Sequence, residues 1–145
     1  MFSNPSAADI SKLLSSARTI AIVGLSPDPD RPSHRVARAL KQFGYRIIPV
    51  NPNARTILGE PALPDLDALE PAAAIDIVDV FRRPDEVGPI VDACIRRGLP
   101  ALWLQEGVVD EPSAERARSA GIFTVMDRCI LRERAALGQG AGIRV

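Results

Sequence analysis

The chain has 145 residues, with 18 Lys plus Arg balancing 18 Asp plus Glu, so its length suits one domain with one core and its charge gives no reason to expect a nucleic-acid or membrane partner. Its two cysteines, Cys94 and Cys129, lack metal-ligand spacing and fit free thiols in a reducing compartment. No run approaches the roughly 18 apolar residues of a membrane span and the N-terminus lacks a signal-peptide pattern, so a soluble, cytoplasmic domain is expected.

Asn4-Pro5-Ser6 reads as a helix start, and Ala8 to Ala17 as an amphipathic helix with Ile10, Leu13 and Leu14 on one stripe. Thr19 to Leu25 reads as the first strand, because Ile20, Ala21, Ile22 and Val23 form the continuous apolar run of a strand covered on both faces. Ser33 can cap the next helix, which carries Val36, Ala37 and Leu40 inward and ends at Gly44. Arg46 to Val50 is a second strand, followed to Glu70 by a loop holding one or two short turns or a brief strand. Ile75 to Phe81 is the third strand, and the helix after it opens near Pro84 and closes at Gly98. Ala101 to Leu104 is the fourth strand, Glu111 to Ala120 a helix, Phe123 to Met126 the fifth strand and Cys129 to Leu137 the last helix. Residues 138–145 have no apolar period and are expected to form a flexible tail, leaving residues 1–137 as the domain.

Strands alternating with helices predict an α/β fold, a single Rossmann-like doubly wound parallel sheet of about five strands with helices on both faces. Strand order 3-2-1-4-5 is expected. Right-handed crossovers then bring every loop that follows a strand to one edge of the sheet, where such folds bind their ligands. Those loops are Gly24–Ser33, Asn51–Asn53, Phe81–Pro84, Gln105–Val108 and Asp127–Cys129.

In the first loop, Gly24 is followed by Leu25, Ser26, Pro27 and Pro29, so the three spaced glycines of a dinucleotide turn are absent. The loop instead offers the hydroxyls of Ser26 and Ser33 and the guanidinium groups of Arg31 and Arg35 next to a helix N-terminus. These are groups suited to a highly charged phosphate cluster. The plainer reading makes Ser33 only a cap and the arginines only solvated. The second strand ends Val50-Asn51-Pro52, with no acid to hold a ribose diol. The third ends Asp79-Val80-Phe81-Arg82-Arg83, an apolar wall beside cations. The fourth ends Trp103-Leu104-Gln105-Glu106-Gly107, with the tryptophan read as core. Cys129 stands at the last helix N-terminus, where the dipole favours thiolate, or else fills the sheet edge as a small apolar residue. His34, the only histidine, is read as a surface residue or a phosphate contact.

The strand-Val-Gly-Leu-Ser run followed by Arg-Pro-Ser and a helix resembles the small coenzyme A-binding domain family, Rossmann-like proteins related to the nucleotide domain of the succinyl-CoA synthetase α-subunit. The Val-Asn-Pro, Asp-Val-Phe-Arg and Trp-x-Gln-x-Gly segments add to the resemblance, which spans about Ser11 to Ala136. It implies coenzyme A or an acyl-CoA as the ligand. The phosphates would sit on Gly24, Leu25, Ser26, Arg31, Ser33 and Arg35, and the adenine between Val50, Asn51, Pro52 and Val80, Phe81, Arg82. The pantetheine would run toward Gln105, Glu106, Gly107 and Cys129.

No Ser-His-Asp set, metal cluster or carboxylate pair is visible, so binding without catalysis is expected. Two other functions stay open at this point: an NAD(P)-dependent oxidoreductase, or an interaction module supplying a coenzyme A site to a partner acyl-CoA ligase. A protein partner or a homo-oligomer is compatible with either.

Overall fold

The computed structural model describes residues 1–71 and 73–143, with side chains described through Leu137. In chain order the elements are α1 (Ala7–Ser16), β1 (Thr19–Val23), α2 (Pro32–Gln42), β2 (Arg46–Val50), β3 (Thr56–Ile57) and β4 (Glu60–Pro61). After these come β5 (Ile77–Val80), α3 (Val87–Arg96), β6 (Ala101–Leu104), α4 (Glu111–Ser119), β7 (Phe123–Met126) and α5 (Ile130–Ile143). One-turn 3-10 helices at Leu66–Ala68 and Pro84–Glu86 flank β5. Ser6 caps α1 as its sequence suggests, its hydroxyl accepting from the Asp9 N–H at 3.1 Å.

Five parallel strands form the sheet in the order β2-β1-β5-β6-β7. The α/β class, the parallel sheet and the helices on both faces agree with expectation. The strand order does not. The third predicted strand, β5, pairs with β1 rather than lying outside β2. Pro49 gives the physical reason. It lacks an N–H, and a proline inside a strand belongs on a sheet edge. Its carbonyl accepts from the Leu63 N–H at 2.9 Å, away from β1, so its missing donor costs no bond between β1 and β2. The order 2-1-3-4-5, counting only the strands of this five-stranded sheet, moves the topological switch point to the crevice between β1 and β5.

Successive side chains of each strand feed opposite layers. Ala21 and Val23 of β1 join Val78, Val80, Leu102 and Leu104 in a core covered by α3 and α4. Ile20 and Ile22 join Ile77, Trp103 and Val125 in a core covered by α1, α2 and α5. Trp103 is fully buried, as the sequence suggests, and its Nε1 donates to the Arg128 carbonyl at 2.9 Å.

Both sheet edges are occupied. Beyond β2, Leu63 forms a parallel bridge with Val50. Beyond β7, the Asn4 amide imitates a strand, donating to the Met126 carbonyl at 2.9 Å and accepting its N–H at 2.8 Å. The last helix, read from the sequence as ending at Leu137, extends to Ile143. Glycine within a helix costs only about 1 kcal/mol each, so Gly138, Gly140 and Gly142 do not forbid that continuation. Of the expected tail, 138–145, residues 144–145 lie outside the described residues.

Candidate functional site at the strand ends

Gly24 ends β1 with φ at +87°, a conformation that favours glycine. Its N–H donates to the Val50 carbonyl at 2.9 Å, and a Cβ placed on it would lie 2.4 Å from the Phe81 carbonyl oxygen and 2.8 Å from Arg82 Cδ. The loops after β1, β2 and β5 therefore converge on one bare backbone position.

The loop from Gly24 to α2 is tied down by its own polar groups. Ser33 Oγ accepts from the Ser26 N–H at 2.9 Å, Ser26 Oγ from the Asp28 N–H at 3.1 Å, and Asp28 Oδ1 from the Asp30 N–H at 2.9 Å. His34 is buried rather than on the surface, its Nδ1 2.9 Å from the Ser26 carbonyl, which makes Nδ1 the protonated nitrogen. Ser33 is not the helix cap that its sequence position suggests. Arg31 holds the N-cap position and Pro32 opens α2, where a missing N–H costs nothing. Ser33 then falls at the second helical position, whose backbone N–H has no acceptor within the helix.

Two cavities flank Gly24. The first, about 470 Å³, has apolar walls that include Val23, Val50, Pro52, Pro64, Leu66 and Ile90 and a rim that carries Asp65, Asp67, Asp85, Glu86 and Arg96. The second, about 520 Å³, is lined by Gly24, Ser26, Arg31, Ser33, Phe81, Arg82, Gln105, Glu106, Gly107 and Cys129, among others. Gly24 and Arg82 border both. Carboxylates outnumber cations around the first cavity, while Arg31, Arg82 and Arg83 face the single carboxylate Glu106 around the second.

Most residues expected at the site line one cavity or the other, but four do not. The side chains of Leu25 and Val80 are fully buried, because each occupies an inward position of the packed layers. Arg35 lines neither cavity; its guanidinium donates to the Asp30 carbonyl and braces the loop from outside. Asn51 is spent on the scaffold, its Nδ2 donating to the Leu25 carbonyl at 2.9 Å and its Oδ1 accepting from the Asn53 N–H at 2.7 Å.

The far end of the second cavity is held by side chains that cross between loops. Gln105 Oε1 accepts from the Ile130 N–H at 3.0 Å, capping α5 from the neighbouring loop. Asp127 adopts φ +61°, rare for a residue with a side chain, and its Oδ1 accepts from the Gly107 N–H at 2.8 Å. Glu106 meets Arg132 at 3.3 Å. Cys129 is half-buried directly before α5, while Cys94 is buried in α3, where loss of water pushes its thiol up to about 12.

Sequence reasoning missed three features. The residues from Pro64 to Asp67 that close the first cavity lie in a stretch without apolar period. Glu86 and the carboxylates around it read as an ordinary helix start. Asp79 is completely buried on β5 with neither oxygen hydrogen-bonded, and its desolvation holds the carboxyl well above the ordinary carboxylate range. Among the described residues no group of His, Cys, Asp and Glu could hold a metal ion, and no helix is long and apolar enough to cross a membrane.

The sequence model of a family described as CoA binding domain matches residues 18–135, and the chain belongs to that family. It is 39% identical over 127 residues to the uncharacterized protein YneT of Bacillus subtilis, covering 88% of this chain and 93% of that one. It is 30% identical to part of the carbamoyl phosphate synthase large chain of Rubrobacter xylanophilus, covering 88% of this chain and 13% of that one. Among solved structures, a Thermus thermophilus protein superposes with a TM-score of 0.86 at 35% identity, covering 92% of this chain and 99% of that one. The dinucleotide-forming acetyl-coenzyme A synthetase 1 of Ca. Korarchaeum cryptofilum shares the fold, with a TM-score of 0.68 at 22% identity. That match covers 82% of this chain and 28% of the synthetase.

Proposed function

We propose that this member of the CoA-binding domain family binds coenzyme A, or an acyl-CoA, across the two cavities and performs no catalysis of its own. The single observation that carries the reading is the junction at Gly24 and Arg82, where a cationic cavity and a mainly apolar one meet at the β1/β5 switch point. A coenzyme A molecule has matching parts. Its pyrophosphate suits the Ser26–Ser33 loop and Arg31, its adenine suits the apolar walls of Val50, Pro52 and Leu66, and its pantetheine arm suits the groove past Phe81, Gln105 and Gly107.

The donor set fits such a ligand. The hydroxyls, the first-turn N–H of Ser33 and the Arg31 fork all favour anionic oxygens, and the loop bearing them is already braced. A nicotinamide dinucleotide fits less well, since the turn has one glycine and the second strand ends in Asn51, whose amide is consumed internally. A second reading rests on the synthetase likeness. The same fold makes up about a quarter of that larger chain, so this protein would supply a coenzyme site to a partner acyl-CoA ligase.

Native mass spectrometry of protein purified from cells tests the ligand class. A bound mass matching coenzyme A or an acyl-CoA supports the reading; a bound dinucleotide overturns it.

A further inference from the structure

Arg82 is the charged side chain common to both cavities, and it is already engaged. Its Nη2 lies 3.1 Å from Glu86 Oε2, one helical turn ahead. The other carboxylate oxygen of Glu86 accepts from the Arg83 N–H at 3.3 Å, so the carboxylate is fixed at the start of the Pro84–Glu86 turn. The Arg82 stem lies against Gly24, which leaves the guanidinium at the point where the two cavities join. Both partners of the pair are about one-third exposed, which makes the ion pair weak enough to exchange.

We propose that Glu86 is an internal competitor for Arg82, a specificity residue that makes occupation of the junction depend on a ligand oxyanion displacing its carboxylate. The inference rests on the coenzyme A reading and deepens it. A neutral or singly charged group arriving at the junction cannot replace the carboxylate, so Arg82 stays with Glu86. A pyrophosphate, with more negative charge and a geometry suited to the guanidinium fork, takes Arg82 over. The displaced carboxylate then stands next to the bound phosphates and repels them, so Glu86 lowers the affinity of the very ligands it selects. The rest of the acidic rim, Asp65, Asp67 and Asp85, keeps further phosphate out of the first cavity and leaves that space to an uncharged base.

Glu86→Gln tests this, because the amide oxygen of Gln still accepts the Arg83 N–H and preserves the turn. Calorimetric titration with coenzyme A, and separately with inorganic pyrophosphate, is performed on wild type, Glu86→Gln, Arg82→Ala and the double variant. Both ligands are expected to bind roughly three- to tenfold more tightly to Glu86→Gln than to wild type, with that gain much reduced when Arg82 is absent. Unchanged or weaker binding in Glu86→Gln overturns the proposal, as does an equal gain with and without Arg82. Should wild type and Glu86→Gln both ignore coenzyme A while pyrophosphate shows the gain, the competitor role stands and the coenzyme reading fails. If neither ligand binds any of the four proteins, both fail.

Discussion

The carbonyl oxygen of Phe81 occupies the place where a side chain on Gly24 would begin: a Cβ there would lie 2.4 Å from it, with Gly24 at φ +87°. The contact joins the loops after β1 and β5, which also supply Arg31 and Arg82. Gly24 is therefore needed for the approach of two backbones, apart from any ligand. Gly24→Ala is expected to cost about 2–4 kcal/mol of stability, from left-handed strain plus displacement of a backbone carbonyl. Urea unfolding measures it, and a loss below about 1 kcal/mol would mean that the two loops separate freely.

Asp79 gives stability a pH dependence of definite sign. Its carboxyl is held above the ordinary range by burial alone, so the folded chain binds its proton more tightly than the unfolded chain does. Its contribution is fully present below the unfolded value of about 3.9 and declines as pH rises toward the folded value. Asp79→Asn removes that titration. Unfolding free energies from pH 4 to 8 should fall less steeply for Asp79→Asn than for wild type, with the variant gaining relative stability at the alkaline end. Parallel curves would show that Asp79 is not the titrating group.

The two arginines of the first loop should separate. Arg31 lines the second cavity and is exposed, so Arg31→Ala is expected to weaken coenzyme A binding by about 1.5–3 kcal/mol with little change in unliganded stability. Arg35 reaches the Asp30 carbonyl instead, and Arg35→Ala should weaken binding less, through a looser loop. Calorimetry on the two single variants decides; equal losses would mean that Arg35 also meets phosphate.

Legibility in the sequence followed physical locality. The strands of the sheet and the helices were readable because apolar runs and breakers are local signals, and the convergence of the loops after the strands follows from parallel pairing. The order 3-2-1-4-5 overlooks Pro49, the one local signal for strand order, since a proline in a strand places it on an edge. That order centres the site between β1 and β6, whereas the crevice lies between β1 and β5. Arg31 and Arg35 look equivalent in sequence, and only the path of the Asp28–Arg31 turn gives them different partners. Glu86 and Asp79 escaped for opposite reasons. The first resembles any acidic residue in a helix start, and the second sits among apolar neighbours that make it look like an ordinary strand position.

Cys129 occupies the N-cap position of α5, its carbonyl accepting the Glu133 N–H at 3.1 Å, and it borders the second cavity. The thiol is half-buried on the cavity wall, within reach of a ligand that occupies the cavity. If the pantetheine end of coenzyme A lies beside Gly107, oxidised coenzyme A should exchange with this thiol. The Cys129 thiolate attacks one sulfur of the coenzyme A disulfide, one coenzyme A leaves as thiolate, and a mixed disulfide remains. Cys94 should not react, because burial blocks access and pushes its thiol up to about 12. Intact mass after treatment with oxidised coenzyme A should show one adduct, reversed by reductant and missing in Cys129→Ser. An adduct that persists in Cys129→Ser, or none in wild type, would show that Cys129 serves only to pack the sheet edge.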